Sequence, residues 1–203
     1  MNSVLTVPNL SQTLLEDLTR VGPKYDRWTP QAYFELDGNY LVEYSRGRLE
    51  ILPMPTLTHQ RIAKRLFNAI QEFVTSKKLG GEVLFAGTRV SVGDDTFREP
   101  DVLYVPAQWL HLMHEEFVER VGIAVEVVSE SNRDHDLQTK RQEYARAGIP
   151  EYWIVDPQAQ TITVLHLNGD VYTQSTATRS GDRASSTVLQ GFDLEVADIF
   201  SPH

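Results

Sequence analysis

One carboxylate interrupts an apolar segment near the middle of the chain. Residues 123–128 are otherwise apolar and predict a buried strand, yet Glu126 lies within them. A buried acid is costly unless an opposite charge or a metal ion balances it. A second apolar strand, residues 102–105, directly follows the turn Glu99-Pro100-Asp101. The fold therefore has to give Glu126 a partner, and we expect Asp101 to lie on the same sheet face if the two strands are neighbours.

A helix is predicted over residues 136–147, and Gly148 ends it. Asp136, Lys140 and Tyr144 recur in it at four-residue spacing, so they share one face. Lys140 could reach the two carboxylates, Asp136 could fix the lysine through an ion pair, and Tyr144 could contact a phosphate. We therefore interpret Asp101, Glu126 and Lys140 as one site.

Two carboxylates and a lysine in one place predict hydrolysis of a phosphate ester. Mg²⁺ prefers oxygen ligands, usually one or two carboxylates together with waters and a phosphate oxygen. We predict that Asp101 and Glu126 bind such an ion and that the carbonyl of Val127 could supply a further ligand. Lys140 would position the attacking water or offset charge in the transition state.

Each of these residues also has an ordinary structural interpretation. Glu126 could be a structural acid paired with an arginine, and Lys140 alone would usually be a solvated helix residue. His59 is more often a packed, hydrogen-bonded histidine at the edge of a core than a ligand. Glu43, in a predicted hairpin, is by default a surface acid. Only the combination of residues favours the catalytic interpretation.

The remaining pattern predicts an α/β or α+β fold, with a mixed central sheet flanked by helices. Helices are predicted over residues 30–36, with Thr29 as N-cap, and over 59–78, with Thr58 as N-cap. Residues 107–121 are expected to be helical or irregular. The predicted strands are residues 40–43, 48–52, 82–85, 88–92, 102–105, 123–128, 151–156, 161–167 and 171–174. Adjacent strands are expected to form hairpins, including 82–85 with 88–92 and 161–167 with 171–174.

Length and charge restrict the class of protein. The 203 residues fit one domain, which we place at 29–203 after an N-terminal extension at 1–28. The net charge of −9 gives no general attraction to nucleic acid, so a DNA-binding surface would need a local basic patch. The candidates for such a patch are Arg61, Lys64 and Arg65, or Arg133, Lys140, Arg141 and Arg146.

Disulfides, thiolate metal sites and a membrane-spanning helix are not expected. The chain contains no cysteine, and no run reaches the roughly 20 apolar residues that a membrane helix needs. The first ten residues lack the features of a signal peptide. We expect a cytoplasmic protein.

An ordered set of motifs then points to a known family. The set comprises Glu43 to Glu50, His59, Glu99 to Val102, Val125 to Ser129, Ser131, Asp136, Lys140, Tyr144 and Gly148 to Asp156, with a further match at Leu189 to Leu194. In this order and spacing the chain resembles the Uma2 family of restriction-endonuclease-like proteins. That family is a branch of the PD-(D/E)XK nuclease superfamily and is common in cyanobacteria.

The resemblance implies a restriction-endonuclease-like core that cleaves DNA phosphodiester bonds with Mg²⁺, or alternatively Mn²⁺, as cofactor. If the roles of the family's motif residues are transferred to this chain, Asp101 and Glu126 would be metal ligands and Lys140 would be the active-site lysine. Glu43 and His59 would lie near the site. The superfamily motif places its lysine two residues after the second acid, where this chain has Val128. The family instead carries its lysine on the next helix, which therefore has to bring Lys140 back over the sheet.

Two alternatives to a DNA endonuclease stay open at this stage. The chain could be a non-catalytic module that keeps the nuclease fold and binds nucleic acid or a partner protein. It could also act on another phosphate ester. By analogy with such nucleases, a homodimer is also expected.

Overall fold

The computed structural model describes residues 28–36, 41–129, 133, 135–174 and 177–201. The predicted N-terminal extension lies almost wholly outside these residues, as do Tyr40 and most of the turn that follows Ser129. The chain divides into two compact units, Met1–Leu52 and Pro53–His203. No helix among the described residues is long and apolar enough to cross a membrane.

The first unit contains a short helix and a two-stranded hairpin: α1 (Pro30–Phe34), β1 (Val42–Ser45) and β2 (Arg48–Ile51). The predicted N-cap of α1 is confirmed, because the Thr29 hydroxyl accepts a hydrogen bond from the N–H of Ala32. The hairpin is also confirmed. Its turn residues Arg46 and Gly47 both have positive φ, as the tight two-residue turn between antiparallel strands requires.

The second unit is built on a six-stranded mixed sheet in the order β10-β9-β8-β7-β6-β3. Its strands are β3 (Glu82–Phe85), β6 (Val102–Val105), β7 (Ile123–Val127), β8 (Glu151–Asp156), β9 (Thr161–Asn168) and β10 (Val171–Gln174). Only β7 and β8 pair in parallel; the other neighbours in this sheet are antiparallel. The predicted mixed sheet is therefore present, and β6 and β7, which carry the candidate acids, are neighbours.

Smaller strands and helices complete the second unit. These are α2 (Leu57–Ser76), β4 (Val90–Ser91), β5 (Thr96–Arg98), a 3₁₀ helix (Ala107–Leu112), a π-helix (His135–Lys140), α3 (Arg141–Arg146), β11 (Arg183–Ser185), β12 (Asp193–Glu195) and α4 (Val196–Phe200). The predicted N-cap of the long helix is wrong by two residues. Thr56, not Thr58, caps α2, because its hydroxyl accepts from the N–H of His59.

The predicted hairpin between residues 82–85 and 88–92 is also wrong. Instead, β3 pairs with β6, and β4 pairs with β5. The β3–β6 ladder extends beyond the strands, since the N–H of Ala86 donates to the carbonyl of Asp101. The chain thus stays on the β6 ladder through Ala86 and only then turns away, so a local return strand does not form.

The six-stranded sheet carries a separate apolar core on each face. Helix α2 packs one face through residues at helical spacing, namely Ile62, Leu66, Ile70 and Val74. Val125 and Val127 belong to that core, whereas Ala124 belongs to the opposite core, which also contains Tyr144 and Tyr152. Because side chains alternate along a strand, Glu126 projects toward the second core, between Val125 and Val127. The sheet therefore directs this acid toward α3.

Candidate active site

The strand register brings Asp101 and Glu126 together. Val102 pairs with Val125, so continuing the β6–β7 register by one residue sets Asp101 directly opposite Glu126. Opposite residues of an antiparallel pair lie on the same face of the sheet. The Asp101 carboxylate also accepts a hydrogen bond of 2.8 Å from the N–H of Val127. The fold thus fixes one acid against the backbone that carries the other.

Lys140 and Tyr144 both donate to the buried carboxylate of Glu126. The Lys140 ammonium lies 2.9 Å from Glu126 Oε1, and the Tyr144 hydroxyl lies 2.6 Å from the same oxygen. Glu126 and Lys140 are 4% and 3% exposed. Lys140 is therefore neither a solvated helix residue nor part of an exposed basic patch, and both of those expectations are wrong for it.

The lysine stands at the end of the π-helix and not in a regular α-helix as predicted. This π-helix spans His135–Lys140, and α3 continues from Arg141. Asp136 is 4% exposed, and its Oδ1 lies 3.6 Å from the Lys140 ammonium. The Tyr152 hydroxyl donates to the main-chain carbonyl of Asp136. Single π-helical turns are rare and frequently occur at functional sites, and here the turn holds the lysine between two carboxylates.

His59 reaches the same acids from the beginning of α2. Its Nε2 lies 3.1 Å from Asp101 Oδ2. Burial lowers the pKa of His59, but the hydrogen bond and charge of Asp101, the backbone of Val127 and the charge of Asp136 together hold that pKa above its ordinary value. Within the described part of the chain, the buried Nδ1 has no hydrogen-bond partner. The histidine is therefore hydrogen-bonded at the core edge, as its ordinary interpretation predicts, but its partner is a candidate ligand.

The hydroxyl of Tyr152 lies in the combined field of the three acids. Its pKa is raised well above the ordinary value, first by burial and then by the charges of Glu126, Asp136, Tyr172 and Asp101. The contacts agree with this, because Asp101 lies opposite Glu126 and the Lys140 ammonium contacts both Glu126 and Asp136. This cluster is the arrangement that the residue spacing predicts.

Glu43 departs from the expectation of a surface acid. It is fully buried, and it pairs with Glu50 across the β1–β2 hairpin of the first unit. Two acids opposite each other on a hairpin repel unless something offsets their charge. Because its side chain is fully buried, the interpretation of Glu43 as a surface acid is wrong.

A buried ion pair that the sequence did not reveal connects β5, which leads to Asp101, with α3, which carries Tyr144. The guanidinium of Arg98 is fully buried and bonds both carboxylate oxygens of Glu143, at 2.8 and 3.0 Å. Arg98 ends β5, three residues before Asp101, and Glu143 directly precedes Tyr144. Arginine beside a turn is ordinarily exposed, so this bidentate contact could not be predicted from the residue pattern.

The donor set fits a divalent cation that prefers oxygen. The Lys140 ammonium contacts Glu126 and Asp136, and Asp101 lies opposite Glu126, so three carboxylates and one ammonium are grouped in the described site. Two carboxylates from neighbouring strands are ligands that Mg²⁺ accepts. The buried Nδ1 of His59 adds a polar atom that the described residues leave unsatisfied. We conclude that the residues present are suited to hold such an ion.

Comparisons with known proteins agree with this architecture. The model of the Uma2 family, described as "Putative restriction endonuclease", matches residues 24–197. A crystal structure of a "putative nuclease belonging to DUF820" from Anabaena variabilis superposes with a TM-score of 0.69 at 16% identity, covering 86% of this chain and 98% of that one. This likeness shows that the fold is restriction-endonuclease-like. A search of the curated proteins found no match. The family model matches residues 24–197, which is most of this chain. The chain therefore belongs to the Uma2 family.

Proposed function

We propose that this protein is an endonuclease that hydrolyses DNA phosphodiester bonds with Mg²⁺ or Mn²⁺. The observation that carries the proposal is the contact of the Lys140 ammonium with Glu126 beside Asp101. Carboxylates and a lysine on one face of neighbouring strands are the components that metal-assisted phosphodiester hydrolysis uses. Membership of a family described as "Putative restriction endonuclease" supports the same reaction class.

Asp101 and Glu126, with the main-chain carbonyl of Val127, would hold the ion. When bound, such an ion polarises a phosphoryl oxygen and lowers the pKa of a bound water. The Val127 N–H fixes Asp101 Oδ2, and the Tyr144 hydroxyl fixes Glu126 Oε1. The two acids are therefore held in place before any ligand arrives, which reduces the reorganisation needed for binding.

Lys140 has the position and charge to act on the reacting groups. Its ammonium lies between Glu126 and Asp136, and burial strengthens its field because little water screens it. It would orient the attacking water through a hydrogen bond and offset negative charge on the phosphoryl oxygens as that charge grows. Asp136 holds the lysine in place, and His59 holds Asp101.

The test is cleavage of supercoiled plasmid and of short DNA and RNA strands, with and without divalent metal. We expect Mg²⁺ or Mn²⁺ to support cleavage and EDTA to abolish it. Asp101→Asn, Glu126→Gln and Lys140→Met should each lose at least about a hundredfold in rate, as removal of a group that stabilises transition-state charge does. Glu72→Gln, which removes an exposed acid from α2, is the matched control and should retain full activity.

Metal binding and cleavage measured together distinguish an endonuclease from the alternative of a non-catalytic binding module. Calorimetric titration of Mn²⁺ into the wild type and Asp101→Ala should show tight binding only to the wild type. Undiminished cleavage by a folded Lys140→Met variant would contradict its assigned role. If the wild type binds metal and DNA but never cleaves, a non-catalytic module that binds nucleic acid or a partner protein becomes the better proposal.

A further inference from the structure

A concave pocket lies beside the first turns of α2, and the proposed reaction does not use it. Its volume is about 260 Å³. It is formed between α2, the turn that joins β8 to β9, and the end of α4. The lining residues are Thr58, Arg61, Ile62, Arg65, Pro157, Gln160, Phe200 and Ser201.

The two arginines give this pocket a positive character. Arg61 is exposed, and no hydrogen bond or ion pair joins it to the other described residues. Arg65 is held in place, because its Nη1 donates to the carbonyls of Ile199 at 2.9 Å and Ser201 at 2.6 Å. Among the described residues that line the pocket, none carries a carboxylate. One held and one exposed guanidinium therefore give this part of the described surface a positive charge.

The other lining groups also suit an oxyanion. The side chains of Thr58, Gln160 and Ser201 offer neutral hydrogen-bond donors. Asp156, the acid next to the pocket along the chain, is engaged by Arg133 at 2.6 Å and by the N–H groups of Gln158 and Ala159. Its charge is thus already partly offset on another side.

The pocket and the acid cluster share one helix end. Thr58 immediately precedes His59, whose ring contacts Asp101. Arg61 and Arg65 follow on the next two turns of the same helix, at the four-residue spacing that keeps them on one face. The pocket and the contact of His59 with Asp101 therefore lie at the same end of α2.

We propose that this pocket binds a backbone phosphate of a nucleic-acid strand, flanking the phosphodiester at the acid cluster. This inference rests on the proposed function, because it takes the nucleic-acid strand to be the substrate. It adds a second site at which the protein would bind that strand. A chain of net charge −9 needs such a local positive site, because its overall field repels polyanions. Arg61 would close on the phosphate, and Arg65 would line its far side.

The experiment measures binding apart from cleavage. Fluorescence anisotropy of labelled 12-nucleotide single-stranded and duplex DNA is recorded in EDTA over a range of salt concentrations. We expect Arg61→Gln to weaken binding by about fivefold to tenfold and to reduce the slope of log K against log salt by about 1, as loss of one phosphate contact does. Lys77→Gln is the matched control, since it removes one exposed charge about 24 Å away along the same helix. It should change affinity less than twofold.

The outcomes separate this proposal from the endonuclease proposal. If Arg61→Gln binds as tightly as the wild type with the same salt dependence, the phosphate subsite is wrong even if the wild type cleaves DNA. If Arg61→Gln weakens binding but no metal supports cleavage, the subsite stands and the catalytic proposal fails. Calorimetry with inorganic phosphate forms the third arm. Arg61-dependent binding of that ion, with no effect of Arg61 on either oligonucleotide, would overturn the assignment to a strand.

Discussion

Removal of the Lys140 ammonium should destabilise the folded protein more than any surface change. At an effective dielectric constant of about 20, unit charges 2.9 Å apart attract by about 6 kcal/mol, and Asp136 at 3.6 Å adds about 4–5 kcal/mol. Desolvation of the three buried groups offsets much of this attraction. Loss of one partner nevertheless leaves a buried charge without compensation, which costs about 3–5 kcal/mol. We expect Lys140→Met to lower the free energy of unfolding by that amount.

A double-mutant cycle measures this contact directly. Urea unfolding, followed by tryptophan fluorescence in EDTA, is compared for the wild type, Lys140→Met, Glu126→Gln and the double variant. We expect a coupling free energy of about 2 kcal/mol, below complete recovery because Asp136 still lacks its counterion in the double variant. Lys64→Met, an exposed change on α2, should stay within about 0.5 kcal/mol of the wild type. Additivity of the two single variants within about 0.5 kcal/mol would refute the geometry described for this pair.

Two further predictions concern the frame around the site. Thr56→Ala should lower the free energy of unfolding by about 1 kcal/mol in urea denaturation, because it removes the N-cap of α2. The control Thr58→Ala should change the free energy of unfolding by less than half as much. Equal losses in the two variants would contradict the cap assignment. Asp156→Asn should destabilise the protein at neutral pH but not in acid. Burial raises the pKa of Asp156, but Arg133 and the N–H groups of Ala159 and Gln158 outweigh burial and hold that pKa below its ordinary value. A depressed folded-state pKa contributes stability above the unfolded-state pKa of about 3.9, and this contribution is lost as pH falls through the folded-state pKa. The difference in thermal unfolding between wild type and variant should therefore be largest at pH 7 and should shrink as the pH falls below about 3.9. A difference that stays constant down to the lowest pH at which both are folded would contradict the linkage.

The sequence predicted the parts of the fold that depend on local pattern. The apolar segments around Val102 and Val125 became adjacent buried strands, and the acid within one of them found a charged partner. The predicted hairpin of residues 161–167 with 171–174 is present as the β9–β10 pair, but its two-residue turn is Gly169-Asp170, because Asn168 still pairs with Val171. In each case the burial period or the turn residue specifies the element without reference to distant parts of the chain.

The features that the sequence missed depend on contacts between distant segments. The pairing of β3 with β6 and not with β4 is set by a ladder that extends to Ala86 and Asp101, which local turn residues do not encode. The buried bond between Arg98 and Glu143 joins residues 45 positions apart. The choice between Thr56 and Thr58 as helix cap depends on where the backbone leaves the extended conformation, because either hydroxyl could serve.

The widened turn that ends at Lys140 allows the site to absorb the loss of one residue. An α-helix turns the side-chain direction by about 100° per residue, whereas the wider π-helix turns it by less. If one residue were lost between Asp136 and Lys140, the turn could tighten to ordinary α-helical winding, and the lysine would keep nearly the same direction. Single-residue deletions in residues 137–139 should therefore disturb the lysine contact less than a deletion within α3, which has no wide turn to absorb it.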